Sequence, residues 1–298
     1  MTLRIAALQM VSTPDLERNL EAAGKLISEA AAAGAALVSL PEYFCLLGRR
    51  DSDKLAVAEA PGKGRIQQFL AASAKEYRVV VIGGTLPVAG AAAAAPPAPA
   101  ASATPSAPPP PTGAATPTGA RVLNRCCVFG SDGRELAHYD KLHLFAYDNG
   151  RESYDEGRTL HAGHTPCAVD LTLGGQALRL GLSICYDLRF PELYRAHMRP
   201  PCDLIAVPSA FTHTTGRAHW EVLLRARAIE NQCYVLAAAQ GGTHENGRRT
   251  FGHSMVVDPW GEVLACREEG AGVVMADLDV ARIAEVRKQL PALAHRRI

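Results

Sequence analysis

The stretch LRIAALQMVSTPDLERNLEAAGKLISEAAAAGAALVSL, residues 3–40, decides the fold class. It opens with an apolar run of strand length, LRIAALQM, and closes with a second such run, ALVSL. Between them, the pattern of Ala, Leu, Glu and Lys from Leu16 to Ala33 predicts a helix that ends near Gly34. Buried strands that alternate with helices predict layers in which helices lie outside a sheet, which is the α/β class.

The same alternation continues along the rest of the chain. A helix is predicted over about residues 65–77 and a strand over 78–82, and the Ser-Asp-Gly sequence at 131–133 predicts a hairpin turn. Hairpins and crossovers together favour two packed sheets covered by helices. The segment AHWEVLLRARAIEN, residues 218–231, predicts a helix with one apolar stripe formed by Trp220, Leu223, Leu224 and Ile229.

Residues 89–120 differ in composition from the rest, because they contain only Ala, Pro, Gly, Ser and Thr. Such a segment has no apolar face to offset its ordering entropy, so we expect a disordered insertion within a single domain of residues 1–298. Strand-like sequence, RVLNRCCVFG, resumes directly after it, which indicates a loop between two strands. A proline-rich ligand for a partner domain is the alternative.

Charge and hydropathy exclude several function classes. The formal net charge of +1, from 31 basic and 30 acidic residues, does not indicate a nucleic-acid partner. The longest apolar stretches are too short to cross a bilayer, and the first ten residues, MTLRIAALQM, lack the pattern of a signal peptide. We therefore expect a cytoplasmic protein with neither a membrane nor a nucleic acid as its partner.

Eight cysteines are scattered along the chain without a Cys-x-x-Cys pair. In a chain that is not exported, such thiols are mostly reduced and buried. Structural zinc needs closely spaced ligand pairs, and although His161 and His164 are near each other, no third ligand follows them nearby. The sequence therefore predicts no metal and no cofactor.

Three short segments each place a reactive side chain directly after a predicted strand. LPEYF places Glu42 after ALVSL, YDKLHLF places Lys141 after a strand over 135–139, and LSICYDLRFPELYR places Cys185 at a strand end. Functional groups of α/β proteins collect at the carboxyl ends of strands. We therefore expect these three side chains to form one site.

The three residue types suit nucleophilic catalysis. A thiol with a pKa of about 8.5 is only a few per cent thiolate at neutral pH, so it needs a base or a nearby cation. Glu42 could take the proton of Cys185, and Lys141 could favour the thiolate and then hold an oxyanion together with the backbone N–H of Tyr186. Taken singly, the same residues could be a structural thiol, a surface lysine and a strand-end carboxylate.

The LPE, DK-x-H and ICYDLRFPE segments, in this order, resemble the nitrilase (carbon–nitrogen hydrolase) superfamily. The resemblance implies an αββα four-layer sandwich and a Glu-Lys-Cys triad, carried onto Glu42, Lys141 and Cys185. Members often have a second glutamate between the lysine and the cysteine. The RES sequence implies that this is Glu152, although Glu156 nearby could fill the place. The resemblance further implies amide hydrolysis to an acid and ammonia through a thioester, and a homodimer or higher homo-oligomer.

Two longer segments, residues 208–240 and 252–265, are similar to the Nit branch of this superfamily, and most similar to its members that act on deaminated glutathione. This implies a small amide as substrate and a role in metabolite repair. Arg189 suits a carboxylate through its planar fork, but it could instead pair with Glu192 or Asp187. The implied substrate-binding residues are Arg189, Phe211, Thr215 and Tyr186.

Other functions stay open at this point. The ω-amidases, which act on α-ketoglutaramate, share HWE and VV-x-PWGEV with this chain but differ from it at ARAIENQCYVLAAAQ. A non-catalytic scaffold that uses the proline-rich segment as a docking arm is a candidate from a different class. Nitrile hydrolysis is a third possibility, against which the similarity to the Nit branch argues.

Overall fold

The computed structural model describes residues 2–90 and 121–297. Its α-helices are α1 (Leu16–Ala32), α2 (Arg65–Tyr77), α3 (Pro191–Ala196), α4 (His213–Asn231) and α5 (Val280–Gln289). Its strands are β1 (Thr2–Gln9), β2 (Leu37–Ser39), β3 (Val80–Ile82), β4 (Leu86–Ala89), β5 (Val122–Phe129), β6 (Glu135–Asp140), β7 (Ala146–Asp148), β8 (Ser153–Asp155), β9 (Leu160–His161), β10 (Cys167–Leu173), β11 (Gln176–Leu182), β12 (Leu204–Ala206), β13 (Tyr234–Ala237), β14 (Gly241–Thr243), β15 (Arg249–Phe251), β16 (Ser254–Val257), β17 (Val263–Arg267) and β18 (Gly272–Asp279). Short 3₁₀ helices span Asp51–Val57, Glu156–Arg158 and Cys185–Arg189.

Most of these strands form two large sheets. The first has the order β18-β1-β2-β3-β5-β4, with β6 and β9 also paired to β5, and the second has the order β10-β11-β12-β13-β16-β17. In each sheet the central strands are parallel: β1 with β2 and β3 in the first, and β11 with β12 and β13 in the second. Two small hairpins, β7-β8 and β14-β15, lie apart from both sheets.

The two large sheets pack face to face, and the helices cover their outer faces. Along β1, Ile5 and Ala7 lie in the core that the two sheets share, whereas Ala6 and Leu8 pack under α1 and α2. α4 covers the second sheet and contacts α3. Because successive side chains of a strand point to opposite faces, both faces of β1 must be apolar, which explains the unbroken run LRIAALQM. The predicted α/β class and αββα layering are confirmed.

α1 illustrates how local sequence sets an element. The side chain of Asp15 accepts the backbone N–H of Arg18 and caps the first turn. Beyond the last turn, Gly34 adopts a φ of +90°, which glycine tolerates and other residues resist. The apolar face between these ends buries Leu20, Ala23, Leu26, Ile27 and Ala30. The predicted helix from Leu16 to the region of Gly34 is confirmed.

α4 differs from its prediction at its start and on one face. It begins at His213, where Thr212 caps it by accepting the N–H of Thr215. Trp220 and Leu224 are buried as predicted, but Ile229 is 48% exposed, so its place on the apolar stripe was wrong. At 100° per residue, the nine positions from Trp220 to Ile229 bring it to the opposite side of the helix.

The predicted Ala/Pro insertion, residues 89–120, lies outside the described residues from position 91 onward. Ala89, its first predicted residue, belongs instead to β4, where it pairs with Val122 of β5. β4 and β5 are thus the two strands that the segment connects. The prediction that it is disordered stays a prediction.

Candidate active site

The three predicted reactive side chains are brought together in one buried site. Glu42 lies three residues after β2, Lys141 directly follows β6, and Cys185 follows β11 and begins a short 3₁₀ helix. Their exposed fractions are 1%, 0% and 7%, respectively. Glu42 and Cys185 line the same cavity, and Lys141 contacts Glu42 directly. Segments about 100 and 40 residues apart in the sequence therefore converge on one site through the packing of the two sheets.

Lys141 is a buried cation held between two carboxylates. Its Nζ lies 2.8 Å from Oε1 of Glu42, and 3.0 and 2.8 Å from Oε1 and Oε2 of Glu156. Burial acts to lower the pKa of this lysine, but Glu156 and Glu42 outweigh it and raise the pKa well above the ordinary value. Lys141 is therefore an ammonium ion at neutral pH.

Glu42 is oriented from three sides. Its Oε1 accepts Lys141 and also Nδ2 of Asn124, at 3.0 Å. Its Oε2 accepts the backbone N–H of Ala210 at 3.0 Å. A carboxylate oxygen accepts more than one hydrogen bond, so Oε2 retains capacity toward the cavity that Glu42 lines. A carboxylate held in this way can receive a proton from a neighbour in the cavity.

The second glutamate beside the lysine is Glu156. Besides Lys141, it accepts the hydroxyl of Tyr43 at 2.7 Å and the backbone N–H of Phe145 at 2.7 Å. Burial acts to raise the pKa of Glu156, but the charge and hydrogen bond of Lys141 outweigh it and lower the pKa. Both oxygens of Glu156 are thus committed to holding the ammonium in place.

Glu152, which the sequence favoured for this place, does not contact Lys141, and the prediction is corrected on this point. It lies in the turn of the β7-β8 hairpin, and its carboxylate accepts the hydroxyl of Thr214 at 3.0 Å. The hairpin holds Glu152 at its tip, whereas Glu156 follows the end of β8 and faces inward. The dipeptide Asn149-Gly150 is a sequence pattern that could have revealed this hairpin.

Cys185 adopts an unusual backbone conformation. Its φ is +48°, in the left-handed region that costs a non-glycine residue energy, and its N–H donates to the carbonyl of Pro208 at 3.0 Å. Burial and the carboxylate of Glu42 raise the pKa of its thiol well above the ordinary value, while Lys141 and the N–H of Ala210 act in the opposite direction. The site therefore favours a neutral thiol.

The cavity beside Cys185 is narrow, with about 10 Å³ open to the centre of a water molecule. Arg189 belongs to the short helix that Cys185 begins, and Phe211 follows Ala210 on the neighbouring loop. All four residues that the sequence proposed for substrate binding line this cavity, namely Tyr186, Arg189, Phe211 and Thr215.

Arg189 faces the cavity without an acidic partner among the described residues. Its Nη1 lies 3.1 Å from Nδ1 of His219, and its guanidinium lies 5.3 Å from the ring centre of Phe211. Asp187, one suggested partner, instead accepts the hydroxyl of Tyr139 at 2.7 Å and lies 2.7 Å from Nδ1 of His143. The structure thus leaves the charge of Arg189 available to a ligand.

Several residues of the site were not identified from the sequence. Asn124 and the backbone of Ala210, which hold Glu42, come from a strand and a loop without a recognisable motif. Arg248, from the turn between β14 and β15, also lines the cavity. Each takes its role from tertiary packing, so no local pattern indicates it.

Within residues 2–90 and 121–297, no helix is long and apolar enough to cross a membrane. In the same residues, no cluster of three or more His, Cys, Asp and Glu side chains is arranged to bind a metal ion. The expectation that the chemistry needs no metal or cofactor stays a prediction.

The αββα fold and a buried, charge-paired site beside a cavity define an α/β enzyme. Comparisons with known proteins agree. The carbon–nitrogen hydrolase family matches residues 4–288. The chain is 41% identical over 296 residues to a deaminated glutathione amidase of Synechocystis sp., covering 98% of this chain and 97% of the relative. It is 36% identical to Omega-amidase NIT2 of Pongo abelii, covering 99% and 95%.

The solved structures include Nit3 of Saccharomyces cerevisiae, a member of branch 10 of the nitrilase superfamily. It superposes with a TM-score of 0.81 at 28% identity, covering 100% of this chain and 97% of that one. The chain therefore belongs to the carbon–nitrogen hydrolase family, and the family that the sequence motifs indicated is confirmed.

Proposed function

We propose that the protein hydrolyses a small amide through a thioester on Cys185. The observation that carries the proposal is a single cavity lined by both Cys185 and Glu42, while Lys141 bridges Glu42 to Glu156. A structural role gives no reason to bury four ionisable groups against an open cavity, since burying charges costs free energy. Perturbed groups gathered in a cleft are typical of catalysis.

In the first half of the reaction, the thiol attacks the amide carbonyl while Glu42 removes its proton. Because the pKa of Cys185 is raised, the proton leaves during attack rather than before it. The developing oxyanion is stabilised by the charge of Lys141 and by the N–H of Tyr186, which lies near the start of a short helix. The two contacts of Lys141 to Glu156 can share one N–H, which leaves another for the oxyanion.

In the second half, Glu42 returns its proton to the leaving nitrogen, and the carbon–nitrogen bond breaks. A water molecule deprotonated by the same glutamate then attacks the thioester, releasing the acid and restoring the thiol. Glu156, rather than Glu152, holds Lys141 in position for both halves. The residues proposed to act on the reacting atoms are therefore Glu42, Lys141 and Cys185, with Glu156 as a positioning residue.

The substrate we propose is deaminated glutathione. The 41% identity to an amidase of that name, over nearly the whole length of both chains, supports this choice. Arg189, which lines the cavity without an acidic partner among the described residues, suits the carboxylate of an α-keto acid. With this substrate the leaving group is the amine of a dipeptide, so the nitrogen product is cysteinylglycine and not the ammonia expected from the sequence.

An ω-amidase that acts on α-ketoglutaramate is the second candidate, supported by 36% identity to a relative of that name. The two substrates share their acyl part and differ in the leaving amine. We expect kcat/KM of the purified protein to be higher for deaminated glutathione than for α-ketoglutaramate, and the reverse order would contradict the proposed substrate. If the protein hydrolysed neither substrate, that result would contradict the amidase proposal itself.

A homodimer in the cytoplasm completes the proposal. Apolar side chains are exposed on α4, on the nearby β16-β17 turn, where Gly261 lies against Ile229, and on β17. Exposed apolar patches of this kind often mark protein contacts. The exposed residues are Val222, Ile229, Trp260 and Leu264. Light scattering should give twice the chain mass for the wild type and a smaller mass for Trp260→Glu.

A further inference from the structure

Arg248 lies where the cavity of Cys185 opens to the surface. It belongs to the turn between β14 and β15, and it lines the cavity together with Cys185 and Glu42. It also lines two clefts that extend outward from there past Tyr43 and Tyr154. Any part of a substrate that projects from the cavity into these clefts must therefore pass this arginine.

The guanidinium of Arg248 is only partly satisfied by the protein. Its Nη2 donates to the carbonyl of Ala210 at 2.8 Å, and its central carbon lies 5.1 Å from the ring centre of Tyr154. Its Nε is buried and has no hydrogen-bond partner among the described residues. No carboxylate in the described part of the chain lies within ion-pair distance of it. A buried donor on a cation is costly when it has no partner, and an anionic ligand would satisfy it.

Of these two clefts, one is lined by Asp51, Asp155 and Glu156 beside Arg158 and Arg248. The other, the outer cleft, carries an excess of cationic side chains, although Arg49 and Arg249 pair with Glu245 and Glu269. Its only carboxylates among the described residues are Asp51, which pairs with Lys54, and Glu152. A cleft lined by one sign of charge attracts ligands of the opposite sign. Its cationic side chains are Arg49, Arg50, Lys54, Arg151, Arg248 and Arg249.

Arg189 and Arg248 occupy different positions relative to the sulfur. Arg189 lines the cavity of Cys185 but neither outer cleft, whereas Arg248 lines all three spaces. During the reaction the acyl part stays bound to Cys185 while the amine part departs, so the amine part must lie toward the opening. This places Arg189 on the acyl side and Arg248 on the side of the leaving amine.

We infer that Arg248 binds a carboxylate carried by the amine part of the substrate and so selects peptide-like amides over primary amides. The inference rests on the proposed amidase function and specifies which end of the substrate this arginine binds. A guanidinium offers two parallel N–H donors to a carboxylate on the edge formed by Nε and Nη2, and Nε together with the second N–H of Nη2, which Ala210 does not use, can provide them. The carboxylate of cysteinylglycine has the required chemistry.

The test uses two substrates that differ only at this end. One is deaminated glutathione, and the other is its analogue in which the terminal glycine carboxylate is a neutral carboxamide. The ratio of their kcat/KM values reports recognition of the carboxylate. Any change common to both rates reports the contact of Arg248 with Ala210, whose N–H orients Glu42. The ratio therefore separates anion binding from a purely structural role.

We expect the wild type to prefer the carboxylate form about tenfold to a hundredfold, the range of a charge-assisted hydrogen bond. Arg248→Gln should bring the ratio close to one, whatever its effect on both rates. Arg248→Lys keeps the charge but loses the planar fork, so its ratio should fall between these values. As a matched control, Arg134→Gln removes the same group from the exposed β5-β6 turn, where it pairs with Asp132, and should keep the wild-type ratio.

Two results would overturn the inference: a wild-type ratio near one, or an unchanged ratio in both Arg248 variants. If Arg248→Gln does not fold, the wild-type ratio and that of Arg248→Lys still decide the matter. Failure of the proposed function looks different, because the wild type would then hydrolyse neither form.

Discussion

Cys185 and Cys233 are two reduced thiols that the fold buries almost equally, with 7% and 0% exposed. Burial raises the pKa of both. Cys233 directly precedes β13 and packs within the apolar core under α4. Cys185 instead lines a cavity together with Glu42, whose carboxylate contacts Lys141. Burial alone therefore does not mark a nucleophile, whereas access and a charged neighbour do.

The two cysteines also differ in their backbone. Cys185 has a φ of +48°, while Cys233 is not among the described residues with positive φ. A strained backbone persists only where the surrounding structure enforces it, and such strain is concentrated at functional sites. The site around Cys185 is therefore less stable than it could be, because of this strain, whereas the core around Cys233 has no such cost. Variants at both positions test this difference.

The largest expected effect is the loss of the nucleophile. Cys185→Ala should lower kcat/KM by about 10⁴-fold or more, because no other group can form the thioester. Cys233→Ala is the matched control, and it should keep activity within about threefold while losing roughly 1 kcal/mol of stability from the small cavity. Comparable activity in the two variants would favour the non-catalytic scaffold.

Removal of the buried cation should affect both activity and stability. Lys141→Met leaves Glu42 and Glu156 buried without their shared partner, so we expect a loss of about 3–5 kcal/mol in the free energy of unfolding. We also expect kcat/KM to fall by about 10³-fold, since oxyanion stabilisation is lost. Denaturant melts and steady-state kinetics would show this, and a stable, active variant would contradict the account.

The two glutamates offer a sharper test within the site region. Glu156→Gln weakens the hydrogen bonds that position Lys141 and should lower kcat by about tenfold to a hundredfold. This range corresponds to the loss of one charge-assisted hydrogen bond, which contributes about 1.5–3 kcal/mol. Glu152→Gln changes a side chain that contacts Thr214 and should stay within about threefold of the wild type. Steady-state kinetics of both variants checks this, and the opposite order would restore the original assignment of Glu152.

The smallest effect concerns backbone strain. Glycine tolerates a positive φ, so Cys185→Gly should be more stable than Cys185→Ala by about 1 kcal/mol. At Cys233 the order should reverse, because glycine there only adds flexibility to the unfolded chain. Thermal melts of the four variants would measure this. If the alanine variant were the more stable one at both positions, the backbone of Cys185 would carry no strain.

The sequence was sufficient to locate the main groups of the site. Glu42, Lys141 and Cys185 could be found because each follows a predicted strand, with a visible apolar run before Glu42 and Cys185, and strand ends meet at sheet edges. The layers could be predicted for the same reason, since α1 shows clear periodicity and capping and β1 shows an unbroken apolar run. These features depend on local sequence.

Features that depend on long-range packing were not predictable in this way. Asn149-Gly150 indicates the β7-β8 hairpin, but that Glu156 rather than Glu152 reaches Lys141 depends on how this hairpin packs against Tyr43 and Lys141. Arg248 reaches the cavity only because the β14-β15 hairpin folds over it. Ile229 was misplaced because nine positions are two and a half turns of a 3.6-residue helix, which brings it to the side opposite Trp220.

The account's central claim is that the substrate becomes bonded to the sulfur of Cys185, and mass spectrometry tests it most directly. The protein would be quenched in acid during turnover of deaminated glutathione and digested, with hydroxylamine present in a parallel reaction to capture the acyl group. We expect an α-ketoglutaryl adduct on the peptide that contains Cys185, and a hydroxamate in the parallel reaction. Full turnover with that peptide unmodified and no hydroxamate formed would contradict the claim.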